Sequence, residues 1–301
     1  MNSYHDPVLL KECIEALAIK ENGIYVDATF GGGGHSRMIL QKLGAKGHLL
    51  GFDQDEDALS NVSENENERF TFVHHNFRYL KRFLRLYGYA EVDGILADLG
   101  VSSHQLDDAD RGFSFRYDTD LDMRMNQQGD VTAADVLNEY DAVALQQIFS
   151  QYGELRNSKS LAQRIVSERV NKPLKKIGDF LLMIDPLVRG ARNRYLAQVF
   201  QAIRIEVNDE MGALKTFLED ALKVLKPGGR LVIISYHSLE DRLVKNFFKS
   251  GNFTGEYEKD FYGNINRPFK VLTKKALLPS EEEIKNNPRA RSAKLRGGEK
   301  I

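Results

Sequence analysis

The stretch Ile24–Ser36, reading IYVDATFGGGGHS, constrains the fold most. The apolar run Ile24-Tyr25-Val26 leads into Asp27, glycines occupy positions 31–34, and Met38, Ile39 and Leu43 follow Ser36 at helical spacing. This is strand, tight turn, helix. Glycine lacks a Cβ, so the turn can take positive φ and a ligand can lie directly on the backbone. The helix behind points unpaired N–H groups and a partial positive charge at that ligand. A second apolar run, His48–Phe52, ends in Asp53, 22 residues past Gly31. An acid about 20 residues beyond the glycines, at the next strand tip, is where a Rossmann-like fold holds ribose hydroxyls. The alternative is a structural turn beside a surface aspartate. Strand, glycines, helix and acid in this order favour a nucleoside cofactor.

A dinucleotide fingerprint needs G-x-G-x-x-G, its third glycine allowing close helix–strand packing. Here Gly31-x-Gly33 is followed by Ser36 where that glycine would stand. Asp27 would sit awkwardly near a pyrophosphate and suits an ammonium group. S-adenosylmethionine has an amino-acid end, a ribose and no pyrophosphate. The loop alone favours it modestly and leaves NAD open.

The 301 residues suffice for one large domain and a smaller one. No apolar run approaches a membrane span, and MNSYHDPVLLKECIEAL lacks the basic-then-apolar pattern of a secretory signal. The single cysteine, Cys13, falls in the apolar pattern Leu10, Cys13, Ile14, Leu17 and reads as core, with a nucleophile as the remote alternative. A cytoplasmic protein is expected. His5 reads as a solvated terminal histidine, reaching an active site being the other option. Charge is uneven: residues 1–130 carry 13 Lys/Arg and 22 Asp/Glu, residues 151–204 carry 11 and 4, and residues 285–301 carry 6 and 1. A basic middle and tail suit a polyanionic partner as well as they suit solvated helix faces.

Along the chain, strands are expected at 24–29, 48–53, 70–73 and 92–98, with helices at 35–43, 55–62 and 79–87 and an acidic surface loop at 63–68. His74 and His75 are adjacent and no Cys or acid completes a ligand set, so no metal site is expected. Phe77 follows a strand tip where a ring packs on adenine or joins the core. Asp98 ends the fourth strand, and ligands in open α/β sheets bind beyond such ends where strand order reverses. After Asp98 comes an irregular segment to Met125, polar, glycine-containing and aromatic, the kind that usually carries function. Residues 131–207 read as helices only, at 145–149, 158–170, 177–184 and 192–207, with Thr132 and Asp135 as a cap. The strand–helix alternation resumes with a helix at 211–225, a turn Lys226-Pro227-Gly228-Gly229, a buried strand at 230–235 and a helix at 239–248. A last strand is expected at 271–276, and a mobile basic tail from Pro288.

DLGVSSHQLDD at 98–108, RGFSF at 111–115 and LDMRM at 121–125 resemble the bacterial family of small-subunit rRNA (cytosine-N(4))-methyltransferases. So do HDPVLL, GGGGHS, FQAIRIEVNDE at 200–210, SYHSLEDRLVK at 235–245 and NPRARSAKLR at 287–296. The resemblance spans nearly the whole chain. It implies an α/β fold: a Rossmann-like class I methyltransferase sheet formed by residues 1–105 and 208–301, with an inserted all-helical substrate-recognition domain at 106–207. It implies S-adenosylmethionine as cofactor and 16S rRNA, within the small ribosomal subunit, as partner. By resemblance, Gly33, Gly34 and His35 hold the amino-acid end, Asp53 the ribose and Phe77 the adenine, while Asp98 and Gln105 complete the pocket. Better-known amine methyltransferases follow the acid with two prolines and an aromatic, whereas here Leu99-Gly100-Val101 follows. Asp98 is therefore the first candidate to accept the cytosine amine, with Ser102, Ser103, Tyr236 and His237 as others. Phe113 or Tyr236 would stack on an extruded base; for each of these, structuring a loop is the competing role. Arg204, Asn208 and Glu210 are expected on one helix face, lining the acceptor side or forming an interdomain network. The rival functions are a non-catalytic ribosome-assembly factor that keeps the fold, and an NAD-dependent oxidoreductase.

Overall fold

The computed structural model describes residues 7–62, 68–257, 259, 261–263 and 267–301. His5 and positions 63–67 of the acidic loop lie outside them. In chain order the first elements are α1 (Leu10–Leu17), β1 (Ile24–Asp27), α2 (Gly34–Lys42), β2 (His48–Asp53), β3 (Phe70–His74), α3 (Leu80–Leu86) and β4 (Val92–Asp98). Six helices follow: α4 (Ser103–Asp107), α5 (Ala133–Glu139), α6 (Ala142–Gln151), α7 (Ser158–Arg169), α8 (Ile177–Ile184) and α9 (Arg192–Val207). Then come α10 (Glu210–Val224), β5 (Leu225–Ser235), α11 (Ser238–Ser250), β6 (Phe269–Val271), α12 (Glu281–Asn286) and β7 (Lys294–Lys300). The chain divides into two compact units, Met1–Gly100 with Gly212–Ile301, and Val101–Met211.

The first unit is built on a seven-stranded sheet ordered β3-β2-β1-β4-β5-β7-β6. Strands β1 to β5 are parallel, and β7 runs antiparallel to both its neighbours. This is a Rossmann-like sheet, as expected. The order reverses at β1, which pairs with β2 on one side and β4 on the other. The tips Asp27, Asp53 and Asp98 therefore open along one edge, where a doubly wound sheet receives its ligand. The central strand β4, VDGILAD, is buried from Val92 to Ala97. A near-continuous apolar strand of this kind belongs in a sheet covered on both faces. Cys13 lies in that covering with Ile14, Leu17, Ile39 and Leu40 and is fully buried.

Two expectations about the late strands are corrected. The Pro-Gly-Gly turn lies within β5, where Gly228 takes φ 75° and the pairing with β4 slips between Val92 and Gly94. The basic tail is not mobile but forms β7, between β5 and β6. KLRGGEK offers neither alternation nor β-branched residues, so it does not read as a strand. Its glycines answer to packing: a Cβ on Gly298 would stand 2.7 Å from Phe248 Cδ1 and 3.2 Å from Phe269 Cδ1. The last strand is accordingly β7, and β6 ends where residues 271–276 were expected to begin one.

The second unit is helical, with a core formed by residues such as Leu137, Phe149, Leu161, Phe180, Leu196 and Phe200. Thr132 and Asp135 form a reciprocal cap at the start of α5, as their spacing indicates. Helix α9 stops at Val207; Asn208 caps it and Asp209 takes φ 44°. Arg204, Asn208 and Glu210 thus do not share one helix face, because the chain breaks between them. Arg204 forms a two-pronged ion pair with Glu210 at 2.7 and 2.9 Å. Asn208 receives the Met125 N–H at 2.7 Å and donates to the Met123 carbonyl at 2.8 Å, holding the LDMRM segment at the left-handed Met123.

Candidate active site

The glycine turn is held from both sides by carboxylates. Asp27, buried at the end of β1, accepts Ser36 Oγ–H at 2.7 Å on one oxygen and Thr29 N–H at 3.2 Å on the other. Asp53 accepts Gly31 N–H at 2.8 Å and Asp55 N–H at 2.9 Å. Thr29 Oγ1 accepts the Asp98 N–H at 2.7 Å, tying the tips of β1 and β4 together. Ser36, noted in the sequence only as a missing glycine, is the residue that fastens α2 to β1. Thr29 went unread; a hydroxyl two residues past a strand-end acid is the signal for it.

The glycines divide by purpose. A Cβ on Gly31, at φ 49°, would meet nothing nearer than 3.9 Å, so that side of the turn is open. Gly33, at φ 72°, is the N-cap of α2 with no side-chain cap. Gly34 answers to the interior, because its Cβ would stand 2.2 Å from Pro7 Cγ. His35 is also turned inward: Nε2 donates to the Val8 carbonyl at 3.1 Å, and burial lowers the imidazole's affinity for a second proton. What His35 offers a ligand is its backbone N–H in the first turn of α2.

The three strand-tip acids share one electrostatic condition. Desolvation pushes Asp27, Asp53 and Asp98 each up to about 6. Hydrogen bonds from Ser36 and Thr29, from Asp55 and Gly31, and from Tyr236 respectively work against that rise. Among the described residues none of the three is paired with a lysine or arginine. Asp27 is buried and Asp53 and Asp98 are half-buried; carboxylates withdrawn from water without a lysine or arginine partner are costly, and a cationic ligand relieves that cost. The donor set fits S-adenosylmethionine: open glycine backbone, free N–H groups at a helix start, and acids facing a sulfonium and an ammonium.

Phe77, in the single turn Phe77–Tyr79 after β3, is half-buried and packs edge-on to Phe217 at 5.1 Å. Tyr236, just past β5, donates its hydroxyl to Asp98 Oδ1 at 2.8 Å. Burial and the Asp98 charge hold the Tyr236 phenol well above its ordinary value, so it stays a donor. His237 is the N-cap of α11: its ring accepts the Glu240 N–H and its backbone N–H reaches the Glu240 carboxylate. The helical unit contains Ser102, Gln105 and Phe113. Ser102 and Gln105 form the capping box of α4, with bonds of 3.1 and 3.0 Å. Phe113 is buried in that unit's core beneath Arg111, so a stacking role for it is not supported. His75 stacks on Phe83 at 4.6 Å.

The family model described as the MraW methylase family matches residues 2–301. Over 300 residues the chain is 59% identical to a ribosomal RNA small subunit methyltransferase H of Parabacteroides distasonis, covering 99% of this chain and 98% of that one. The protein of the same name from Bacteroides fragilis is 57% identical over 299 residues, with 99% and 98% covered. That from Flavobacterium johnsoniae is 56% identical over 299 residues, again with 99% and 98% covered.

Proposed function

The chain belongs to the MraW methylase family and is an S-adenosylmethionine-dependent methyltransferase, and from that premise we propose that it methylates the exocyclic N(4) amine of a cytosine in the decoding region of 16S rRNA. The observation that carries the cofactor's place is the row of strand-tip acids, Asp27, Asp53 and Asp98, lacking Lys or Arg partners beside an open glycine turn. In this reading Gly33, Gly34 and His35 offer backbone N–H groups to the carboxylate of the amino-acid end. Asp53, oriented by two backbone donors, keeps lone pairs for the ribose hydroxyls. Phe77 bounds the adenine.

When bound, S-adenosylmethionine supplies an electrophilic methyl group on a sulfonium. The cytosine amine is a poor nucleophile because its lone pair is delocalised into the ring. Asp98 is the acceptor that draws an amine N–H and turns that lone pair toward the methyl. Its Oδ1 is held by Tyr236, which leaves Oδ2 for the amine. Positioning of this kind contributes on the order of 7–11 kcal/mol to a two-partner reaction. The proton leaves after transfer, so a carboxylate near pKa 6 is base enough. Tyr236 is a positioning residue. Ser102, Gln105 and His237 serve through the helix starts they cap, which fixes the segments following β4 and β5.

The cationic helices of the helical unit suit a phosphate backbone. A substrate inside the small subunit places the protein in the cytoplasm, and among the described residues no helix is long and apolar enough to cross a membrane. Retention of the glycine turn, Asp53 and Asp98 weighs against a non-catalytic assembly factor. The missing third glycine weighs against NAD. The test is incubation with labelled S-adenosylmethionine and small subunits from a strain lacking the modification, followed by mapping of the labelled base. Label on one cytosine N(4) is expected. Label elsewhere, or none, would overturn the assignment.

A further inference from the structure

Not all cations of the helical unit are available to a partner. Arg164, Lys172, Lys176 and Arg192 are paired with Glu168, Asp179, Asp120 and Asp185. Arg156, Lys159, Arg189 and Arg194 are exposed and, among the described residues, have no ion pair or hydrogen bond. These four come from two separate segments that meet at one corner. Asn157, just before α7, donates to the Leu187 carbonyl at 2.9 Å and to Tyr195 Oη at 3.1 Å. Those two hydrogen bonds of Asn157 bring residues 156–159 against residues 187–195. Tyr195 sits on the buried side of this corner, and Arg189 pulls its phenol back against the rise that burial causes. The local acids are few: Asp185, already held by Arg192 at 2.8 Å, and Glu154.

We propose that this corner, Arg156 and Lys159 beside Arg189 and Arg194, is a docking site for the phosphate backbone of the substrate RNA outside the target nucleotide. The proposal rests on the rRNA methyltransferase reading above and locates where the helical unit grips its substrate. Exposed cations that no carboxylate neutralises keep their full charge for phosphates, and releasing the counterions around that RNA drives the contact. Guanidinium groups favour phosphates because their forked donors match two oxygens. Contacts to phosphate give register and affinity, not base choice. The site therefore acts before and apart from recognition of the cytosine.

The test compares two triple variants of the full chain. One is Arg156→Gln/Arg189→Gln/Arg194→Gln; the other, Arg164→Gln/Lys172→Gln/Lys176→Gln, removes the same formal charge from paired positions. Binding to protein-free 16S rRNA and to small subunits is measured against salt, with S-adenosylmethionine affinity as the check on folding. For the corner variant, the slope of log affinity against log salt should fall by about 2, at roughly 0.7 per phosphate contact on single strands. KM for small subunits should rise while kcat and cofactor affinity hold. Equal losses in both variants would overturn the corner in favour of a diffuse field. Weaker binding to subunits but unchanged binding to rRNA would overturn it in favour of an acidic ribosomal protein. An unchanged slope, with methylation intact, would remove the corner and leave the enzyme's assignment standing. Wild-type protein that neither binds nor methylates the RNA would remove both.

Discussion

Asp98→Asn separates a charge from a shape. The amide keeps an oxygen for the Tyr236 hydroxyl, now at 2.8 Å, and the backbone N–H keeps its bond to Thr29. What disappears is a charge that burial disfavours, since the carboxyl is pushed up from 3.8 to about 6. A displacement of that size disfavours the ionised form by up to about 3 kcal/mol at neutral pH. Between those two values the native protein holds a proton that the unfolded chain has released. Wild-type stability therefore falls as pH rises from about 4 to 6, and the variant escapes that fall. Scanning calorimetry without cofactor should find the variant melting about 5 °C higher at pH 8, with the gap narrowing toward pH 4. Methyl transfer should move the opposite way, falling on the order of 10²-fold in kcat as the amine loses its charged acceptor. A variant that melts at or below wild type at pH 8 would refute the burial cost. One that transfers methyl at the wild-type rate would refute the role of Asp98.

Asp53→Ala removes the partner of Gly31 N–H as well as the ribose acceptor, so calorimetry with S-adenosylmethionine should show affinity lower by roughly 10–100-fold, at about 1.5–3 kcal/mol for a hydrogen bond to a charged group. Arg204→Ala strands the largely buried Glu210, and urea unfolding should register a loss of about 3–5 kcal/mol in the helical unit. Gly298→Ala drives a methyl group against Phe248, and the same assay should show the sheet unit weakened by about 1–3 kcal/mol.

The cofactor half of the fold was legible because its signals are local. A short strand, a glycine turn and an acid one strand later specify β1, α2 and β2 with little help from the rest of the chain, and the elements stand within a residue or two of their expected bounds. Asp98 was legible for the same reason. Residues whose task depends on partners distant in sequence were not. The packing demand on Gly34 comes from Pro7, and nothing in the glycine turn itself announces it. The Ser102/Gln105 and His237/Glu240 spacings are by contrast local signals that also spell helix caps, and both capping boxes are formed. In β7, strand character comes from neighbours on both edges and from rings packed over glycine, not from its own composition. The end of α9 at Val207 was legible, but the shared face expected for Arg204, Asn208 and Glu210 was not, because Asp209 turns left-handed between them.

The placement of β7 also sets a clock. It pairs with β5 from Arg230↔Glu299 to Ser235↔Lys294 and with β6 from Phe269↔Lys300 to Val271↔Gly298. Until residues 294–300 emerge from the translating ribosome, β5 keeps a bare edge and β6 has no strand to join. A naked edge is a template for pairing with another chain. The nascent protein is thus open to wrong partners along β5 until the interleaved strand closes that edge.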